Sequence, residues 1–317
     1  MIIYTEKQGS ALLFVAFYQK LFYNNIDLLD QGESFLKKYI AILCLLLMLT
    51  ACAAPMETAD VAATTGPVAQ FASAIAEGTD IAITQIISDS VSCLHDYSLS
   101  VRQMQSLESS DLVLLSGAGL EDFMEDALRE RTTADCSEGI ALRELTHGDH
   151  SHGYDPHIWL NPDNAAIMAE NICRALSVQY PEHQDILMTN AQELVQKLKE
   201  LKSWGQQELS GLSGREIITF HDGFSYLAAA FDLTILASVE EESGSEASAA
   251  DLTEIISLVR EHDLHCVFTE ANGSDAAATV ICAETGAKSY VLDTAMGGSD
   301  YFEAMQANIQ TLKEALQ

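Results

Sequence analysis

The chain has 317 residues, and 47 acidic side chains against 16 basic ones give it a formal net charge of −31. An acidic balance of this size excludes a nucleic-acid-binding surface, which needs clustered lysine and arginine. The hydrophobic content of 48% is too high for a disordered chain, and the length suffices for two lobes of ordinary domain size.

The first 35 residues fit no targeting signal, because the apolar run ALLFVAFY is too short to span a membrane. Gln31, Gly32 and Glu33 can be encoded by a purine-rich run of the kind that recruits ribosomes. Leucine codons can serve as alternative starts, and Leu36 follows at a short distance. We therefore expect translation to begin at Leu36, so that residues 1–35 are not made in the cell.

Residues 36–51 have the pattern of a secretory signal. Lys37 and Lys38 precede the apolar run YIAILCLLLML, which ends in small residues. The run is shorter than the roughly 20 apolar residues that a membrane-spanning helix needs. LTAC, residues 49–52, resembles a lipobox, which implies that Cys52 is lipidated and that residues 52–59 form a tether. The alternative is an ordinary cleaved signal with an incidental cysteine.

Residues 60–180 predict an N-terminal α/β lobe. Short apolar runs indicate buried strands at 60–64, 81–87 and 111–117, and helices are predicted near 67–77, within 119–130 and near 162–178. Strands that alternate with helices imply βαβ units, a parallel sheet and right-handed crossovers.

The segment HGDHSHGYDPHIWLNP, residues 147–162, is the most informative part of this lobe. Its first part, the His-rich loop 147–153, has no apolar periodicity and suits weak cation capture by three histidines, His147, His150 and His152. In the second part, Pro156 restricts the backbone, and the apolar residues after His157 can hold its ring in one orientation. A single histidine is more often a surface or core residue, but four in one stretch indicate metal contact.

A long connecting helix is predicted over residues 181–211. Its apolar residues step by four and three along one face, and they are Leu187, Ala191, Leu194, Leu198 and Leu201. The C-terminal lobe, residues 212–317, then alternates strands at 216–220, 235–239, 266–270 and 288–292 with helices near 222–231, 248–262, 274–285 and 300–316. The predicted fold class is α/β, with two lobes that each contain a mostly parallel sheet flanked by helices, joined by one long helix.

Polar side chains follow the predicted strands at the edge where ligands gather in parallel sheets. His221, Glu270 and Asp293 lie at strand ends of the C-lobe, while His95 and His157 lie in the N-lobe. Three imidazoles and one carboxylate, from His95, His157, His221 and Asp293, would complete a tetrahedral zinc site. Taken singly, Asp293 could cap a turn and His221 could cap a helix. For Glu270 we favour an acceptor role that fixes an imidazole over direct ligation.

Five segments resemble the metal-binding solute-binding lipoproteins of ABC importers for zinc and manganese, and they are residues 94–121, 155–162, 220–228, 267–293 and 300–316. The resemblance implies that His95, His157, His221 and Asp293 bind the metal ion. The His-rich loop is typical of the zinc branch, whereas the manganese branch usually carries glutamate at the position of His221. The chain departs from the family at two places. It has LDT where the family usually has LDP, so that threonine instead of proline follows the fourth ligand, and its acidic loop at 240–248 lacks the usual proline.

The resemblance implies an extracytoplasmic, monomeric protein that is anchored to the membrane by lipid and delivers Zn²⁺ to an ABC permease. The alternatives are a carrier of manganese or another divalent metal, and a metal-stabilised adhesin-like surface lipoprotein. A metallohydrolase is disfavoured because a closed set of three histidines and one aspartate leaves no open position for water, so no enzymatic activity is expected. Three histidine ligands further predict that metal affinity falls steeply between about pH 7 and about pH 5.

Overall fold

Two four-stranded parallel sheets form the frame of the protein. The computed structural model describes residues 60–87, 97–144, 153–240, 247–271, 273–297 and 299–317. The N-lobe sheet has the order β2-β1-β3-β4, with β1 Val61–Ala63, β2 Ile83–Gln85, β3 Leu112–Leu115 and β4 Thr133–Asp135. The C-lobe sheet has the order β6-β5-β7-β8, with β5 Glu216–His221, β6 Thr234–Glu240, β7 Cys266–Glu270 and β8 Lys288–Leu292. The predicted α/β class with two parallel sheets is confirmed.

Helices alternate with these strands along most of the described chain. In the N-lobe they are α1 Gly66–Ile75, α2 Val101–Ser109, α3 Glu125–Leu128 and α4 Pro162–Gln179, followed by the connecting helix α5 Gln184–Glu208. In the C-lobe they are α6 Ser225–Ala230, α7 Ala249–Glu261, α8 Ala276–Thr285 and α9 Tyr301–Leu316. In the described part of the chain, none of these helices is both long and apolar enough to cross a membrane.

The N-lobe differs from the prediction in three elements. Helix α2 was not predicted, because its sequence VRQMQSLES is mostly polar and Leu107 is its only buried residue, although a capping box between Ser100 and Gln103 starts it. Strand β4 was missed because it has three residues and two of them are exposed. The helix predicted within 119–130 is instead a 3₁₀ turn, Asp122–Met124, followed by the single α-helical turn of α3.

The connecting helix α5 has the buried face that its apolar spacing predicted. The five predicted residues are all buried along its 25 residues. They pack into a hydrophobic cluster that also contains β1, β3, α4 and α9, so N-lobe and C-lobe elements share one core. A second, smaller cluster lies within the C-lobe, around Ile218, Val267 and Ile281. The lobes are therefore joined by side-chain packing as well as by the connecting helix.

Candidate metal centre

Two buried imidazoles meet where the lobes face each other. His157 precedes the 3₁₀ turn Ile158–Leu160 in the N-lobe, and His221 is the last residue of β5 in the C-lobe. Their Nε2 atoms are 3.2 Å apart, and their rings are nearly perpendicular at 86°. The two side chains are 64 positions apart in sequence, so the fold alone creates this pair.

The separation of the two nitrogens fits a shared metal ion. Two nitrogens that each bind a tetrahedral zinc ion at ~2.0–2.1 Å lie about 3.3–3.4 Å from each other. The observed 3.2 Å between the Nε2 atoms of His157 and His221 is close to this value. A cation between the two rings would therefore need only a small movement of either side chain.

The orientation of His157 is set by Asp155, a fully buried carboxylate. One oxygen of Asp155 accepts the backbone N–H of His157 at 2.9 Å and also bonds Nδ1 of the ring at 3.0 Å. The other oxygen accepts a short hydrogen bond from the Ser225 hydroxyl. Because an ionised carboxylate only accepts, Nδ1 of the ring carries a proton, and Nε2 is the nitrogen that can offer its lone pair to a metal.

The electrostatics of the site favour the neutral form of His221 and the charged form of Asp155. Burial and, to a smaller extent, the neighbouring His157 together lower the pKa of His221 to about 3. Burial alone would raise the pKa of Asp155, but hydrogen bonds from His157 and Ser225 together with the charge of His157 lower it below its usual value. The site therefore presents a deprotonated imidazole beside an anionic support, which is the state that binds metal.

Gly223 lets the backbone approach both rings. It lies in the 3₁₀ turn Asp222–Phe224 that follows β5. A Cβ atom at this position would lie 2.5 Å from Nδ1 of His157 and 2.5 Å from Nε2 of His221. Real Cβ atoms do not approach nitrogen this closely, so any larger residue would displace the imidazoles.

Two further carboxylates lie near His221. Nδ1 of His221 is 4.0 Å from Glu270 Oε2 and 3.9 Å from Asp222 Oδ1. These distances exceed a hydrogen bond, so neither carboxylate holds the ring as Asp155 holds His157. Glu270 also accepts a hydrogen bond of 3.3 Å from the Thr294 hydroxyl. The acceptor role expected for Glu270 would need it to move closer to Nδ1.

Asp293 follows β8 and is held by its own turn. Its Oδ1 accepts the backbone N–H of Ala295 at 2.7 Å, and its Oδ2 accepts the Ser299 hydroxyl at 2.7 Å. Its backbone N–H and C=O bond the side-chain amide of Asn308 on α9 at 2.8 and 2.7 Å. The turn therefore orients both carboxylate oxygens.

Several predicted residues lie outside the part of the chain that the structure describes. They are His95, the loop histidines His147, His150 and His152, and Cys52. Within the described residues, no group of three or more His, Cys, Asp or Glu side chains is arranged to hold a metal ion.

Asp155, Ser225, Gly223 and Asn308 were not predicted as functional residues. Asp155 stands two residues before His157, and an Asp-Pro-His sequence is a signal that could have identified it. The other three depend on contacts between distant segments, which the sequence pattern does not contain.

A further buried carboxyl lies at the carboxyl edge of the N-lobe sheet. Glu121 accepts the Thr64 hydroxyl at 2.5 Å and the backbone N–H groups of Ser116 and Gly117 at 2.7 and 3.1 Å. Burial and, to a smaller extent, the charge of Asp135 raise its pKa to about 7, against the effect of these three donors. Glu121 therefore changes its protonation near neutral pH.

Comparison with known proteins gives a family match over most of the chain. The family described as "Zinc-uptake complex component A periplasmic" matches residues 61–315. The solved structure "Crystal structure of ZnuA" superposes with a TM-score of 0.72 at 25% identity, covering 82% of this chain and 100% of that chain.

Two curated relatives are similar at the sequence level. The zinc-binding lipoprotein AdcA of Streptococcus pneumoniae is 26% identical over 271 residues, which cover 78% of this chain and 54% of AdcA. The iron-binding protein YfeA of Yersinia pestis is 28% identical over 214 residues, which cover 66% of this chain and 69% of YfeA. The chain thus spans about half the length of AdcA.

Proposed function

The chain belongs to the zinc-uptake component A family, and on this premise we propose that it is an extracytoplasmic carrier that binds Zn²⁺ and delivers it to an ABC permease. The observation that carries the proposal is the pairing of His157 Nε2 with His221 Nε2 at 3.2 Å in a buried place between the lobes. A carrier needs a site that excludes water and releases its cargo intact, and a buried pair of imidazoles meets the first requirement.

The proposed ligand set is His95, His157, His221 and Asp293. His157 and His221 supply two converging nitrogens. His95 would come from the loop after β2, and Asp293 from the turn after β8, where its carboxylate is already oriented. Three nitrogens and one carboxylate fill all four coordination positions of a tetrahedral zinc ion. No position is left for a reactive water, so we propose no hydrolytic role.

Zinc is proposed as the cargo because His221 would supply a third imidazole nitrogen to the site. Likeness alone does not decide the metal, because one relative is named for zinc and another for iron. A third imidazole limits the oxygen donors, whereas manganese prefers more oxygen ligands and higher coordination. Zinc also outranks manganese and ferrous iron for a given nitrogen–oxygen site in the Irving–Williams order.

The experiment that tests the cargo is direct competition between metals on the purified protein. Metal-free protein should bind one zinc ion tightly and keep it against an excess of Mn²⁺ or Fe²⁺ under anaerobic conditions. His221→Glu should weaken zinc binding and narrow the preference for zinc over manganese. Tighter binding of manganese or iron by the unmodified protein would overturn zinc as the cargo.

The His-rich loop is proposed as a separate, weaker metal-binding segment. Replacing His147, His150 and His152 with serine should remove weak additional binding and keep one tight site, as measured by titration calorimetry. Loss of the tight site in this variant would contradict the proposed ligand set.

We further propose that a lipid on Cys52 anchors the protein to the membrane beside its permease. Metabolic labelling with a fatty acid should mark the unmodified protein and leave Cys52→Ser unlabelled and released from the membrane. Labelling of the Cys52→Ser variant would rule out Cys52 as the lipidated residue.

A further inference from the structure

The turn that carries Asp293 is bound by a glutamine of the opposite lobe. We call residues Asp293–Gly297 and Ser299–Tyr301 the Asp293 turn. Gln70 lies on α1 of the N-lobe, where its Nε2 donates to the carbonyl of Ser299 at 2.8 Å. Its Oε1 accepts the backbone N–H of Tyr301 at 2.8 Å. One amide thus satisfies a donor and an acceptor two residues apart, which glutamine can do and a carboxylate cannot.

Other N-lobe contacts hold the same turn. The Gly66 N–H donates to the carbonyl of Met296 at 3.2 Å, and Trp159 Nε1 donates to the carbonyl of Thr294 at 2.7 Å. The Tyr301 hydroxyl returns a hydrogen bond of 2.8 Å to the carbonyl of Trp159. The turn is therefore docked against the N-lobe, although β8 before it belongs to the C-lobe sheet.

The contact of Gln70 is transmitted to the carboxylate through one residue. Ser299, whose carbonyl Gln70 holds, donates its hydroxyl to Asp293 Oδ2 at 2.7 Å. Rotation of Ser299 away from this position would remove one of the two hydrogen bonds that orient the Asp293 carboxylate. The other comes from Ala295 within the same turn.

From these contacts we infer that Gln70 is a positioning residue for Asp293, acting across the lobes through Ser299. The inference rests on the proposed function, in which Asp293 is a metal ligand. It implies that Asp293 moves with the N-lobe, as His157 does. His221 is then the ligand that moves with the C-lobe sheet. Release of the metal would then separate His221 from the other ligands.

A double-mutant cycle on zinc affinity tests the inference. Gln70→Met keeps the approximate size of the side chain and removes both hydrogen bonds. We expect it to weaken zinc binding roughly tenfold, the lower end of the effect of residues that support a metal ligand, and to leave the melting temperature of the metal-free protein nearly unchanged. Ser73→Ala, at an exposed position of the same helix, is the matched control and should have no effect.

The background variants separate positioning from general structure. In an Asp293→Ala background, Gln70→Met should change zinc affinity less than twofold, because the group on which it acts is gone. In a His157→Ala background the roughly tenfold effect should persist, as expected for independent contributions. An equal loss in both backgrounds would mean that Gln70 only supports the fold, and it would overturn the inference.

Failure of the proposed function would give a different pattern. If Asp293→Ala leaves zinc affinity unchanged, then Asp293 is not a ligand and the proposed ligand set is wrong. If Asp293→Ala weakens binding and Gln70→Met does not, the ligand set stands and the positioning role of Gln70 is refuted.

Discussion

The Asp155 carboxylate binds His157 twice through one oxygen, to the backbone N–H at 2.9 Å and to Nδ1 at 3.0 Å. The backbone contact fixes the carboxylate relative to the main chain of His157, so rotation of the imidazole would break its Nδ1 contact with that carboxylate. The short contact from Ser225 fixes the carboxylate in turn. His157 is thereby held in place before any metal arrives.

This relationship predicts the effect of Asp155→Asn. The amide keeps the shape of the side chain but removes the negative charge that fixes the ring proton on Nδ1. We expect zinc affinity to fall about 10- to 100-fold, as is common for the partners of ligand histidines. Competition with a chromogenic chelator measures it. Asp126→Asn, at an exposed aspartate whose partner Arg129 is also exposed, is the control and should bind zinc normally. Unchanged affinity in Asp155→Asn would contradict the role of Asp155.

A second prediction concerns Gly223→Ala. The added methyl group would lie 2.5 Å from a nitrogen of each imidazole, so both rings must move apart. We expect loss of tight zinc binding and a destabilisation of about 1–3 kcal/mol from overpacking. Gly211→Ala adds the same group where nothing lies within 4 Å and should change neither property. Chemical unfolding and zinc titration of both variants check this, and tight binding by Gly223→Ala would show that the rings do not act together.

The sequence predicted the carboxyl ends of the C-lobe strands correctly as the place where polar side chains gather. Because parallel strands end at one sheet edge, His221 and Glu270 were expected to be neighbours, and 4.0 Å separates His221 Nδ1 from Glu270 Oε2. The packing of Trp159 beside His157 was also predicted, from its position in DPHIWLNP.

The relation between the lobes could not be predicted from the sequence. The hydrogen bond from Trp159 to the carbonyl of Thr294 spans 135 positions, and the contact of Gln70 with Tyr301 spans 231. Local periodicity specifies strands and helices, but it does not specify how two sheets face each other across a connecting helix. The sequence therefore assigned Asp293 to the C-lobe alone, whereas the turn that carries it also makes hydrogen bonds with the N-lobe.

A third prediction concerns pH and His221. Its pKa falls from 6.5 to about 3 in the folded protein, so between these values the unfolded chain binds the proton and the folded chain does not. Stability should therefore decrease as pH falls through this window, by about 2 kcal/mol between pH 7 and pH 5. His221→Gln should lack this component, as measured by urea unfolding of the metal-free proteins at both values. Equal pH dependence in the two proteins would contradict a neutral His221.

The same lowered pKa changes the expectation for metal binding. Three titrating imidazoles would make zinc affinity fall steeply from pH 7 to pH 5. Because His221 stays neutral across this window, it competes with no proton there, and the fall should be shallower than for three ordinary histidines. Calorimetry at pH 6 in buffers of different ionisation enthalpy counts the released protons. A count that corresponds to three imidazoles of ordinary pKa, each about three-quarters protonated at pH 6, would refute this expectation.

The last prediction concerns Glu121, whose pKa is shifted in the opposite direction. Burial raises it from 4.5 to about 7, so the folded protein holds a proton that the unfolded chain has lost. Its contribution to stability is complete below about pH 4.5 and is lost as pH rises through 7, an effect of roughly 2–3 kcal/mol between pH 5 and pH 8.

Glu121→Gln should remove this pH dependence. An amide cannot accept the Gly117 N–H at its nitrogen, so the absolute stability is expected to change as well, and the informative quantity is the difference between pH 5 and pH 8. Glu125→Gln, at an exposed glutamate four residues away, should keep the full difference of the unmodified protein. Urea unfolding of the three metal-free proteins at both pH values gives the comparison. If Glu121→Gln retains the same difference, the titrating group lies elsewhere, and the three donors around Glu121 keep it charged at neutral pH.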